Sequence, residues 1–208
     1  MIDHILYATP DLRASVDELN QRFGVRLSPG GRHVSLGTRN YLADLGGRTY
    51  FEVLGPDLDR PAPAGGRPLG IDQLTRPRLA TWAARVDDLE KAVAAATASG
   101  CRFDPIVAMS RDRGDGVHLS WRAAVPADGQ AFGGVMPFLI QWESEAYAAE
   151  LSAKGVHLVS LSGAHPDAAT VRAHLAVLGL ADHVTVRQAA EPSLRVTLAT
   201  PAGEVTLE

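Results

Sequence analysis

His4 stands inside the apolar run Ile2–Ala8, Glu52 inside Thr49–Leu54, and His33 between them in GGRHVSLG. An imidazole and a carboxylate embedded in strand-like apolar runs are costly unless they are paired, hydrated or bound to a metal. Two histidines and one carboxylate form the facial set favoured by non-haem Fe, and they also suit Zn, Mn or Ni. A divalent metal on His4, His33 and Glu52 would act as a Lewis acid, polarising vicinal oxygens and stabilising an enediolate or extradiol-type anion. Without a metal, His4 and Glu52 would hydrogen-bond each other or a ligand and form an acid–base set. Both readings make His4 and Glu52 the catalytic candidates, and both stay open.

Other residues could contact a ligand around them. Gly37–Asn40 reads as a glycine-led turn whose Arg39 and Asn40 offer donors to an anionic or amide group, a solvated hairpin turn being the plainer alternative. Trp121 suits the wall of a site for a flat or apolar ligand, although Trp82, Trp121 and Trp142 in strands also fit a core. His118 is a further group that could face such a site, whereas His157, His165, His174 and His183 lack ligand spacing. Arg111–Gly116, RDRGDG, reads as a solvated hairpin tip. No Gly-x-Ser-x-Gly elbow is present, so serine-hydrolase chemistry has no support.

These side chains need strands to aim them. Along Ile2–Ala8, alternation puts Ile2, His4, Leu6 and Ala8 on one face and Ile5 with Tyr7 on the other. Asp11 can cap a helix carrying Leu12, Val16, Leu19 and Phe23 at helical spacing, which Gly24 ends. Strands are expected at His33–Leu36, Tyr41–Leu45 and Thr49–Leu54, where Glu52 shares a face with Tyr50 and Leu54. The proline- and glycine-rich stretch 55–78 reads as a connecting loop. The same grammar then returns: a strand at Leu79–Val86, a helix at Leu89–Ser99 ended by Gly100, and three strands around Phe103–Ala108, His118–Ala124 and Phe138–Trp142. A third pass follows Gly155 and ends in a hairpin. The expected fold class is α+β: residues 1–55 form a first βαβββ module, 56–78 the connector, 79–145 a second module and 151–208 a third, shortened one. Strand parity lets His4 and Glu52 point into the same concavity.

This order of elements resembles the vicinal oxygen chelate (glyoxalase/bleomycin resistance/dioxygenase) superfamily. Within it, GGRHVSLGTRN and PFLIQWE are reminiscent of glyoxalase-like domain proteins. The resemblance implies that the paired modules form a cupped mixed sheet, with His4 and Glu52 looking into the cup, and that a small-molecule protein works there as a lyase, isomerase or dioxygenase. It also implies the alternative of a non-catalytic sequestration protein of the bleomycin-resistance type. Relatives usually draw two metal ligands from the first and fourth strands of each module, which here implies His4 and Glu52. Superposing Asp11 on Asp88 places His4 on Thr81, and YFEVLG on FLIQWE places Glu52 near Ile140 or Gln141. Neither Thr nor Ile is a reasonable divalent-metal ligand and Gln is a weak one, so this departs from a four-ligand site.

Bulk properties bound the partners. The chain has 208 residues, 46% of them hydrophobic, and a formal net charge of -4 with both signs interspersed. No basic stripe invites nucleic acid, and no apolar run approaches the ~20 residues of a membrane span. The single cysteine, Cys101, excludes an internal disulfide framework and fits a cytoplasmic location, with packing its expected role. A small-molecule ligand is the expected partner, and a homodimer is an open alternative to a monomer that completes its own cup.

Overall fold

A computed structural model describes residues 1–113, 115–127 and 131–208. The first module runs β1 (Ile2–Ala8), α1 (Leu12–Phe23), β2 (Ser28–His33), β3 (Thr38–Gly46) and β4 (Thr49–Pro56). The second runs β5 (Arg78–Arg85), α2 (Leu89–Ala98), β6 (Val107–Asp112), β7 (His118–Ala124) and β8 (Phe138–Trp142). Asp11 and Asp88 start the two helices by accepting from Ala14 N at 3.0 Å and Lys91 N at 2.9 Å. Each satisfies an amide that the first helical turn leaves without a partner. Gly24, at φ 68°, takes the left-handed conformation that ends α1.

The two modules share one eight-stranded sheet in the order β2-β3-β4-β1-β5-β8-β7-β6. Within each module the first strand lies parallel to the fourth, and the modules join through antiparallel pairing of β1 with β5. The sheet curls until its two edges approach: Arg111 on β6 donates to the Gly30 carbonyl on β2. The convex side is packed by helices, burying Ile5, Phe23, Phe51, Trp82, Leu89 and Leu139. The concave side carries Leu42, Tyr50, Ile140 and Trp121, with Leu6, Leu54 and Ile71 in a neighbouring cluster. From His4 onward, alternation along β1 separates core from cup as the sequence suggests, whereas Ile2, expected on the cup face, packs in the helix-side core.

Residues beyond the paired modules form β9 (His157–His165), α3 (Ala168–Val177), β10 (Thr185–Gln188), β11 (Ser193–Thr200) and β12 (Gly203–Leu207). The element order repeats βαβββ, but the strand order is β10-β9-β11-β12. The first strand here lies beside the second, in parallel, rather than beside the fourth. Leu161, Val171, Leu175, Val196 and Leu207 join the helix-side core of the large sheet. This unit thus backs the cup and leaves its opening untouched.

Several local expectations change, among them the strand expected around Phe103–Ala108, which is Val107–Asp112. The second strand is Ser28–His33, not His33–Leu36, so His33 ends it rather than begins it. Pro29 and two glycines read as breakers, yet an edge strand tolerates proline, and the register slips between Pro29 and Gly31. The connector is a packed flap: its 3-10 turn Pro68–Gln73 buries Ile71, and Arg67 ties it down through Gly37 O at 2.7 Å and Asp72 at 2.6 Å. The internal superposition also moves. Pairing sets Leu6 opposite Glu52 and, in the second module, Ala83 opposite Phe138. With His4 on Thr81, Leu6 falls on Ala83, so the counterpart of Glu52 is Phe138 and not Ile140 or Gln141. Gln141 instead accepts from the Leu89 amide at the start of α2, 2.9 Å away.

Candidate functional site

The cup encloses a cavity of about 190 Å³. Its wall is mainly apolar, with Leu6, Leu54, Met136, Phe138, Ile140 and Trp142 among the lining residues, and the flap closes one side through Pro68 and Leu69. The polar groups of the wall include His4, His33, Asn40, Glu52, Thr81 and Arg111. Convergent polar groups in an apolar concavity are the ordinary form of a small-molecule site.

The centre of the site depends on an irregularity in β1. Its register against β5 passes from Ile2 opposite Ala84 to His4 opposite Ala83, which leaves Asp3 as an extra residue. Such a bulge re-aims a side chain. Asp3, fully buried, thereby reaches His4: its Oδ1 lies 2.8 Å from His4 Nδ1. Its Oδ2 accepts from Trp142 Nε1 at 2.9 Å, with Arg85 at 3.7 Å. The far edge of the imidazole, Nε2, faces Glu52 Oε2 at 3.5 Å. Asn40 Nδ2 donates to the other Glu52 oxygen at 2.8 Å. Tyr50 stacks on the ring at 4.6 Å and Phe138 meets it edge-on at 5.3 Å, fixing its plane.

The chemistry follows from the order of groups. With Nδ1–H donated to Asp3, His4 Nε2 and Glu52 Oε2 would face each other lone pair to lone pair unless a proton lay between them. An imidazole between two carboxylates at the wall of the cavity is an arrangement that can take part in proton transfer. Asp3 was missed from sequence because strict alternation puts it with Ile5 on the opposite face. No local signal announces the bulge.

His33 also lines the cavity, with Nδ1 3.2 Å from Thr38 Oγ1 and its ring edge-on to Trp121 at 6.3 Å. Burial pushes its pKa down to about 4; Glu52 opposes this, and Arg111 and His4 add to it. At neutral pH it is an uncharged ring that can accept or donate one hydrogen bond. Trp121 is in the wall beside Trp142, their rings 5.3 Å apart. Trp82 is on the helix side, where Nε1 donates to Val135 O at 2.8 Å.

Arg39 is a correction. Thr38–Asn40 is part of β3 and not a turn, so Arg39 points away from Asn40 and borders an outer groove with Arg13 and Asp59. His118 is exposed, paired with Asp112 at 2.8 Å. The RDRGDG segment divides: Arg111 is buried in β6 and lines the cup, Gly114 lies outside the described residues, and Arg113 forks onto Asp115. Reading the whole segment as a solvated tip concealed the first of these.

The proposed metal set of His4, His33 and Glu52 does not fit. Among the described residues no three His, Cys, Asp or Glu side chains are grouped to hold an ion. The first module offers one imidazole nitrogen and one carboxylate, and the matching positions of the second are Thr81 and Phe138. Two donors are fewer than the three that even an open catalytic site uses.

Comparison with known proteins agrees with this architecture. The glyoxalase-like domain family matches residues 2–179, and the chain belongs to that family. A hypothetical protein from Staphylococcus aureus has a similar structure, with a TM-score of 0.65 at 14% identity, covering 100% of this chain and 85% of that one. Methylmalonyl-CoA epimerase from Mycobacterium tuberculosis aligns with a TM-score of 0.47 at 19% identity, over 67% of this chain and 86% of that one. A Streptomyces coelicolor methylmalonyl-CoA epimerase variant in complex with 2-nitronate-propionyl-CoA gives 0.47 at 20%, over 69% and 95%. Among curated proteins none matches. No helix among the described residues is long and apolar enough to cross a membrane.

Proposed function

We propose that this protein takes a small, largely apolar carbonyl compound into the cup and moves a proton on it, as an isomerase or lyase. The observation that carries the reading is the Asp3–His4–Glu52 line set in an apolar wall. Glu52, held by Asn40, removes a proton from the carbon beside the carbonyl, leaving an enolate. His4 Nε2–H, oriented by Asp3, then supplies a proton to the substrate carbon or to a departing group, and the proton on Glu52 resets the pair. Exclusion of water by the flap strengthens each of these interactions. A dioxygenase would need a resident iron that two donors do not hold.

The test is solvent deuterium exchange at the carbon beside the carbonyl, followed by NMR across short 2-oxo acids, aldehydes and thioesters. A Glu52→Gln variant should keep ligand-induced thermal stabilisation and lose exchange by about 10²–10⁴-fold. Exchange unaltered in that variant would remove the acid–base role. A second reading, sequestration without turnover, is favoured by one feature: both Glu52 oxygens already have partners. Tight binding by wild type with no exchange on any of these compounds would select it.

A further inference from the structure

Arg111 is only 6% exposed and lies in the wall of the cavity, yet it has no carboxylate in ion-pair contact among the described residues. One of its N–H groups donates to Gly30 O, and the rest of the guanidinium fork has no assigned partner. The nearby charges are committed elsewhere. Asp112, next along the strand, faces outward to His118 at 2.8 Å. Glu52 is held by Asn40 and His4. His33, whose pKa Arg111 helps to lower, is uncharged at neutral pH.

A buried cation without a counter-charge carries an uncompensated desolvation cost, which an apolar side chain would not. The bond to Gly30 leaves the charge itself uncompensated, and a ligand that brings the missing charge would compensate it. We propose that Arg111 binds the carboxylate of the cup's ligand, so that the substrate class is a small carboxylic acid with an apolar tail. The inference rests on the reading of the cup as a ligand site.

Three features support it. A planar guanidinium matches a carboxylate bidentately. A single guanidinium balances a monoanion, whereas a phosphate dianion would be left half-compensated. A cavity of about 190 Å³ with walls of Leu, Met, Phe and Trp leaves room for a short apolar body beside the charged group. Arg111 also sits where this cavity meets an outer groove that shares His33, Leu36, Met109 and Val125 with it. An acid entering head first from that groove would meet the cation on its way in.

The experiment compares 4-methylpentanoate and phenylacetate with their neutral amides, and with inorganic phosphate, by calorimetry on wild type, Arg111→Met and Arg111→Lys. Wild type should bind at least one acid about ten- to a hundred-fold more tightly than its amide. Arg111→Met should abolish that preference while its ligand-free melting temperature stays level or rises. A role confined to tying β6 to β2 predicts the opposite, a lowered melting temperature with the preference intact. Should Arg111→Met fail to fold, Arg111→Lys decides the matter: a reduced but surviving preference supports the assignment, and a preference equal to that of wild type overturns it. Equal binding of acids and amides overturns the Arg111 assignment alone. Binding of neither overturns the cup as a ligand site as well, and phosphate in preference to both acids overturns the carboxylate class.

Discussion

Asp3 and His4 are sequence neighbours whose side chains meet, Oδ1 to Nδ1 at 2.8 Å, because one extra residue in β1 cancels the alternation of the strand. The contact fixes the tautomer of the imidazole, since a carboxylate can only accept. Asp3 also accepts from Trp142, so both of its oxygens are committed to donors.

Asp3→Asn cannot reproduce that arrangement. If the amide oxygen accepts from His4, its NH₂ faces the indole N–H; if the amide turns over, it donates to Nδ1 and drives the imidazole proton to Nε2. The first orientation leaves one mismatched buried group, at a cost of about 1–3 kcal/mol, so the second is adopted. We expect little loss in denaturant unfolding but a fall in turnover of about 10²-fold. Imidazole nitrogen shifts in NMR should report the changed tautomer. Retained Nδ1–H with unaltered turnover would show that Asp3 does not set the protonation of His4.

Gly30→Ala tests the support of Glu52. The backbone at Gly30 is in no left-handed conformation, so the effect is steric: a Cβ there would lie 2.3 Å from Asn40 Oδ1 and 2.8 Å from Leu42 Cγ. Asn40 is buried, and that oxygen has no hydrogen-bond partner. Displacing it pulls Nδ2 from Glu52, at a cost of about 1–3 kcal/mol. Turnover should fall as far as in Asn40→Ala. The two substitutions combined should cost little more activity than either alone, because they break one contact. Fully additive losses in activity would place the effect elsewhere.

The parts of this site that obey simple periodicity were legible in the sequence. His4 and Glu52 face the cup because β1 and β4 alternate, and the two capping aspartates align the modules. What was not legible involves departures from period two or strand ends set by pairing. Asp3 reaches the site through a bulge. Phe138, rather than Ile140, matches Glu52 because register is fixed by hydrogen bonds between strands and not by likeness of short motifs. Arg39 and Arg111 exchanged places for one reason: each lies beside glycine-rich sequence that resembles a turn, while its backbone continues a strand. Once β3 and β6 extend through them, alternation turns Arg39 outward and Arg111 inward.

His33 makes stability depend on pH. Its pKa falls to about 4 in the folded protein, against an ordinary value of 6.5. Between those values the unfolded chain binds the proton and the folded one does not. Stability should therefore fall as pH drops from about 6.5 to about 4 and show no further loss from this group below that. The ring keeps some access to solvent, so the loss should be less than the ~3 kcal/mol a fully buried group with this shift would give. Urea unfolding across the window should show the slope, and His33→Gln should flatten it. A variant with the wild-type slope would assign the dependence to other groups.

The mismatch between modules can be tested by filling it. Thr81 and Phe138 both line the cavity and occupy the positions that correspond to His4 and Glu52. Wild type, with two donors, should show no change in melting temperature on adding a chelator. Thr81→His with Phe138→Glu would bring the set to two imidazoles and two carboxylates across the β1–β5 seam, the number a closed site needs. The double variant should lose apo-stability, since it buries a second carboxylate in place of an apolar ring. It should regain that stability with Zn or Mn, in proportion to metal concentration. Each single variant should gain much less, because three donors without the fourth leave one buried group poorly paired. If wild type itself binds one equivalent of metal tightly, the acid–base reading of His4 and Glu52 gives way to a metal-centred one. If the double variant folds and takes up none, then Thr81 and Phe138 do not stand where the register of β5 and β8 puts them.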